Sequence, residues 1–199
     1  NNRCMKPGRP LEFDPDAALE KAMEVFWSRG YEATSLQNLL DAMGLSKSSF
    51  YQVFGGKHRL FERCIERFRD KQVAWLREGL REAPSGRAFI ETRLRALAEE
   101  ARGPNLPRGC LIMNTATEFA GRDPVIARLI LKSAEKLTAV FAEAVRRAQR
   151  EGHMPTNRDP RVLALYVMTS ISGLRALVKA GASPEMIDAI AGVTMRAFD

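Results

Sequence analysis

Lys47, Ser48, Ser49, Tyr51 and Gln52 fall in one short stretch and carry the groups that can read a nucleic-acid duplex. Short hydroxyls let a helix approach the major groove closely, a Gln amide pairs with an adenine edge, and Lys and Tyr reach phosphate oxygens. A second basic feature precedes them. The segment Lys6-Pro7-Gly8-Arg9-Pro10 can lay Arg9 in a narrow A·T-rich minor groove. It fits equally well a basic tail that adds affinity through counterion release alone.

Other reactive side chains are few. Cys4, Cys64 and Cys110 are far apart, odd in number and form no C-x-x-C pair, which argues against a disulfide framework and a zinc ribbon. His58 and His153 are the only imidazoles, so no metal or other cofactor is expected and catalytic pairs are scarce. An enzyme would have to use Cys110, with no His near it in sequence, or Glu99 and Glu100, adjacent carboxylates that do not face one another on a helix. Cys110 itself has two readings. Beside Arg108 and near a helix start, its thiol can ionise more easily and serve as a redox or electrophile sensor. The plainer reading is a small buried apolar residue, as it is for Cys64.

The elements that must position these groups are helices. The chain has 199 residues, 45% apolar and 28% charged, the balance of a globular protein that can bury a core. Its formal charge of +7 suits a polyanionic partner, although residues 1–70 carry 11 basic and 10 acidic groups, so net charge does not mark one domain. The longest uncharged run, Val162 to Leu174, is 13 residues, short of the roughly 18 that a membrane span needs. With no apolar leader at the N-terminus, no membrane partner and a cytoplasmic location are expected.

Turn and cap signals divide the chain into about nine helices with no period-2 strand, an all-α fold. Asp14-Pro15 opens helix 1, whose apolar face is Ala18, Leu19, Ala22, Met23 and Phe26. Ser35 caps a second helix through Met43, Gly44 stops it, and Ser46 caps a third running to Phe54. A fourth runs from residue 57 to 79 and connects two domains, residues 1–56 and 57–199. A fifth ends near Ala101, a short sixth spans Cys110 to Phe119, and three more open at Asp123-Pro124, Asp159-Pro160 and Ser183-Pro184.

Residues 35–54 have the logic of a helix-turn-helix, with Leu39, Met43, Leu45, Phe50 and Val53 at the mutual contact. Two surface helices that merely pack would show the same pattern. The flanks add to it. The run Gly30-Tyr31, Thr34-Ser35, Gly44-Leu45-Ser46-Lys47-Ser48-Ser49-Phe50-Tyr51, Phe54 and Gly56-Lys57, followed by Leu60-Phe61, resembles the TetR family of bacterial transcriptional regulators. The resemblance is specific over residues 14–68 and extends to the whole chain by length and helix count. It implies a three-helix DNA-binding domain followed by a larger helical domain that binds a small effector and dimerises. By position it places Ser48, Ser49, Tyr51 and Gln52 on the recognition helix, with Thr34, Ser35 and Lys57 on phosphates. Leu40 departs from the small residue that the family prefers there, and Gln52 stands where members vary.

In the C-terminal half, Trp75, Met113, Thr117, Phe141 and Tyr166 are the expected lining of an effector pocket, the alternative being plain helical core. Apolar stripes on the last two helices, Leu163, Val167, Ser170, Ile171 and Leu174, then Ile187, Ile190 and Thr194, are the expected dimer interface, the alternative again being an intrachain core. The combined expectation is a homodimeric repressor of a double-stranded DNA operator, released by a small-molecule effector. A thiol sensor acting through Cys110 is the alternative, and a cysteine-dependent enzyme a remote one.

Overall fold

The computed structural model describes residues 13–104, 107–119 and 121–199, and these contain nine helices and no strand. The chain divides into two compact units, Asn1–Cys64 and Ile65–Asp199.

In the first unit, α1 (Pro15–Arg29) starts where the Asp14 carboxylate accepts from the Asp16 amide at 2.9 Å, with Pro15 supplying a φ already suited to the first turn. Its buried face is Ala18, Leu19, Ala22, Met23 and Phe26, the stripe that the periodicity predicts. The next helices are α2 (Leu36–Met43), α3 (Lys47–Phe54) and the start of α4 (Lys57–Glu82). The Phe26 and Phe61 rings meet edge to face at 4.8 Å, and Leu39, Phe50 and Leu60 complete a fully buried core. Leu60, Phe61 and Cys64 are buried with this unit, so the first two turns of α4 belong to it. The helix itself continues to Glu82, beyond the expected residue 79.

The second unit holds α5 (Gly86–Arg102), α6 (Leu111–Phe119), α7 (Pro124–Arg150), α8 (Pro160–Lys179) and α9 (Pro184–Arg196). The long α7 packs on α5, α6 and α8, and α5 also packs on α8 and α9. Each of the last three helices opens with a capping side chain and a proline at its first position, Asp123, Asp159 and Ser183 being the caps.

Two contacts bind α7 to the junction of α4 and α5. Gly86 lies so close to α7 that a Cβ there would sit 2.1 Å from the Ala144 carbonyl oxygen. The Arg147 guanidinium donates to the carbonyls of Leu80, Ala83 and Pro84 at 2.7, 3.0 and 3.1 Å, satisfying one acceptor in the last turn of α4 and two in the link that follows it. α8 is long and apolar enough by composition to cross a membrane, which the count of uncharged residues did not anticipate. In this unit it is a packed helix with Leu163, Ala164, Val167 and Leu174 buried.

Candidate nucleic-acid interface and C-terminal cavity

The turn between α2 and α3 is set by Gly44, which takes the left-handed conformation (φ 69°, ψ 37°) that glycine adopts without a Cβ clash. Its amide and that of Leu45 both donate to the Leu40 carbonyl, at 2.9 and 3.1 Å. Leu40 is buried and the turn still closes, so the larger side chain is accommodated in the core. On the far side, the Ser46 hydroxyl caps α3 by accepting from the Ser49 amide at 3.2 Å and lies within 3.0 Å of the Ser48 hydroxyl.

Phe50 and Phe54 face inward from α3, which turns Lys47, Ser48, Tyr51 and Gln52 to solvent, with Ser49 half-buried. Tyr51 stands edge-on against Phe50 at 5.4 Å, so packing at its base directs the phenol outward. Lys57 is half-buried at the first position of α4, its ammonium 4.1 Å from the centroid of the Tyr31 ring. Tyr31 thus holds a basic group in place, a role that type and spacing alone do not reveal. Ser35 is exposed and spends its hydroxyl on a capping box with Asn38.

Thr34 is placed differently from the expectation. It is fully buried, and its hydroxyl donates to the Gly30 carbonyl at 2.6 Å. A threonine four residues after a carbonyl at a helix end can turn back onto it, so this hydroxyl is directed into the protein. Arg9, with the rest of its basic segment, lies outside the described residues.

The second unit contains a partly open cavity of about 190 Å³. Trp75, Leu137, Phe141 and Ile171 supply apolar wall, and Arg93 and Arg175 supply guanidiniums. A neighbouring recess of about 170 Å³ is bordered by Met113, Asn114, Thr117 and Lys179. The two share Cys110, Ser172 and Arg175. Of the expected lining residues, Trp75 and Phe141 therefore border the main cavity and Met113 and Thr117 the recess. Tyr166 borders neither. It is half exposed and pairs with Phe198 at 6.1 Å.

Cys110 is half-buried immediately before α6, its carbonyl accepting from Asn114 at 2.8 Å. His153 does not border the cavity and has the Glu151 carboxylate 3.7 Å away. Cys64 is fully buried, and burial pushes its thiol well above the ordinary cysteine range. Among the described residues no three His, Cys, Asp or Glu side chains converge as metal ligands would.

The expected dimer residues are mostly interior. Leu163, Val167, Ile171, Leu174, Ile187 and Thr194 are buried within the single unit, Ser170 is half-buried, and Ile190 alone of the set is exposed. They match the intrachain alternative. A different stripe of the same helices, Val162, Leu165, Tyr166, Met186, Ile190 and Val193, faces solvent. The two last helices are apolar on more than one side, so periodicity marks several stripes and cannot say which one the core takes.

Comparison with known proteins agrees with this architecture. Residues 18–64 match the bacterial regulatory proteins of the tetR family, and residues 87–193 match the tetracyclin repressor-like C-terminal domain. The HTH-type transcriptional repressor ComR of Escherichia coli (strain K12) is 33% identical over 202 residues, covering 98% of this chain and 95% of that protein. A cysteine-substituted TetR family transcriptional regulator, CifR, solved with a 26-base-pair operator DNA, superposes with a TM-score of 0.82 at 30% identity, covering 96% of this chain and all of that one. The reduced form of NemR from E. coli shares the fold, with a TM-score of 0.82 at 18% identity over 92% of this chain and 97% of that one. With both of its halves matched and a relative similar along nearly its whole length, the chain belongs to the TetR family of bacterial transcriptional regulators.

Proposed function

We propose that this protein is an effector-responsive repressor that works in the cytoplasm, binds a palindromic operator as a homodimer and leaves it when a small molecule occupies the C-terminal cavity. The observation that carries the reading is the α3 face. Lys47, Ser48, Tyr51 and Gln52 are exposed together on a helix fixed by Gly44 at one end and by Phe50 and Phe54 beneath. Ser48, Ser49, Tyr51 and Gln52 are assigned to base edges and adjoining phosphates, and Lys47, Lys57 and the capped start of α2 at Ser35 to phosphates. The likeness to CifR, solved on operator DNA, supports the same use of this region. Two half-sites call for two copies, since a single module binds weakly. Release is a population shift, in which the effector binds the non-binding dimer more tightly, with a coupling of about 1–3 kcal/mol.

The test is a fluorescence-anisotropy titration against the DNA upstream of the protein's own gene at two salt concentrations. Tight, sequence-selective and salt-dependent binding is expected, lost in Tyr51→Ala and weakened in Lys57→Ala. Unchanged affinity in both variants removes the assignment of the DNA-reading surface.

A second reading keeps DNA binding and makes Cys110 the trigger. It is favoured by the position of that thiol on the wall shared by the cavity and its recess. In this reading a Michael acceptor adds to the Cys110 sulfur and the carbon beside the new bond takes up the proton. A Cys110→Ser protein that still releases DNA on exposure to a quinone excludes it.

A further inference from the structure

Two cations border the cavity, and among the described residues no carboxylate lies within ion-pair distance of either. The Nε atoms of Arg93 on α5 and Arg175 on α8 are buried and lack hydrogen-bond partners, whereas buried donors in folded proteins are nearly always paired. Glu100, the only acidic residue on the wall among the described residues, is exposed and within ion-pair distance of neither. The Arg93 guanidinium is held by aromatic rings, 4.2 Å over Trp75 and 5.4 Å from Phe89, an arrangement that fixes its plane while its Nε stays without a partner. Burial without a compensating anion also lowers its pKa from the usual guanidinium value. Toward the recess Lys179 adds a third positive group, 3.2 Å from the Asn114 side-chain oxygen.

Most of the remaining wall is apolar, with Leu97, Leu137, Phe141 and Ile171, while Gln72, Cys110 and Ser172 add polar groups. Its volume of about 190 Å³ compares with the roughly 150 Å³ of an apolar protein cavity that admits benzene. One six-membered ring with a short arm therefore fits, and a large multi-ring drug exceeds this volume.

We propose that the cavity takes an amphipathic organic anion, a monocarboxylate on an aryl or compact alkyl body between benzoate and 3-phenylpropionate in size, whose carboxylate is met by the guanidiniums of Arg93 and Arg175. This rests on the reading of the cavity as the effector site and adds the chemical class of the effector. The carboxylate completes the donors that the folded chain leaves open, in the paired geometry that guanidinium and carboxylate share. The ring occupies the apolar volume beside Phe141. A neutral molecule of the same shape fills the same volume and leaves both arginines unpaired.

The test uses the full chain and calorimetric titration with benzoate and 3-phenylpropionate, each paired with its uncharged amide. At least one acid is expected to bind, and to bind tenfold or more tightly than its amide, with the preference falling toward unity in Arg175→Gln and in Arg93→Gln. The acid-to-amide ratio is read on the unaltered protein, so the test does not depend on a variant that folds. Equal or tighter binding of the amides overturns the proposal, as does failure of both acids to bind at millimolar concentration or a preference that survives both substitutions. Operator release is measured separately with the same compounds. An acid preference without DNA release supports the anion site and counts against the cavity as the release switch. Release by the amides without any acid preference keeps the switch and overturns the anion site.

Discussion

The Thr34 hydroxyl donates to the Gly30 carbonyl at 2.6 Å from within a fully buried residue. Its effect is therefore expected on stability rather than on DNA. In Thr34→Val the shape is kept and the Gly30 acceptor loses its partner, a loss of about 1–2 kcal/mol. Urea unfolding checks this. The slope of log affinity against log salt for operator DNA should not change, because no phosphate contact is removed. A slope reduced by about one contact with stability intact would return the hydroxyl to the phosphates.

Gly44 and Gly86 separate two reasons for glycine. At Gly44 nothing lies within 4 Å of an added Cβ, and the constraint is the positive φ of 69°. Gly44→Ala should cost about 1–2 kcal/mol through backbone strain alone. At Gly86 the added Cβ meets backbone on α7, 2.1 Å from the Ala144 oxygen and 2.6 Å from the Ala148 nitrogen, and neither can swing aside. Gly86→Ala should cost about 3 kcal/mol or more as the start of α5 is pushed off α7. Denaturant midpoints of equal size for the two variants contradict this ordering.

Glu151 links acid stability to the same junction. Its pKa lies below the ordinary carboxylate value, first because the Gly86 amide donates to it at 2.9 Å and also because Arg147 donates at 2.7 Å. A depressed folded pKa means that the unfolded chain takes up the proton first as pH falls. The contribution is therefore complete above the ordinary value of 4.5 and fades as pH drops through the lower folded value. Glu151→Gln should lower the urea midpoint at neutral pH, and its difference from the unaltered protein should shrink progressively below that value. A difference constant across the acid range sinks the argument.

In the proposed homodimer, the solvent-facing stripe on α8 and α9 is assigned to the contact with the second copy. Leu165→Glu and Val193→Glu, at positions 50% and 55% exposed, should give folded monomers by sedimentation or light scattering. Val167→Glu, at a fully buried position, should lose the fold. Dimers that persist in both of the first two variants place the interface elsewhere.

Local signals carried much of the architecture. Asp14, Ser35, Ser46, Asp123, Asp159 and Ser183 each cap the helix that their type and a following proline or apolar run announce. The outward face of α3 was readable because Phe50 and Phe54 mark its opposite side. The cavity was only half legible. Trp75 and Phe141 are large and apolar and invited the assignment, whereas Arg93 and Arg175 look like ordinary helix-surface charges until packing shows their Nε atoms buried. Tyr166 is exposed and most of the dimer candidates are buried because α8 and α9 are apolar on several sides, and which side faces inward depends on helices distant in sequence. Thr34 illustrates the same limit at a single side chain, since the acceptor for its hydroxyl exists only once α1 has ended at Gly30.

Helix termini ordinarily fray first, because their last carbonyls have only water to bond. At the end of α4 that order is altered, since the Leu80 carbonyl in its last turn and those of Ala83 and Pro84 just beyond it accept from a guanidinium rooted on α7. The closing turn of α4 therefore shares the fate of its neighbour. In hydrogen exchange its amides should open with the α7 cooperative unit rather than ahead of it.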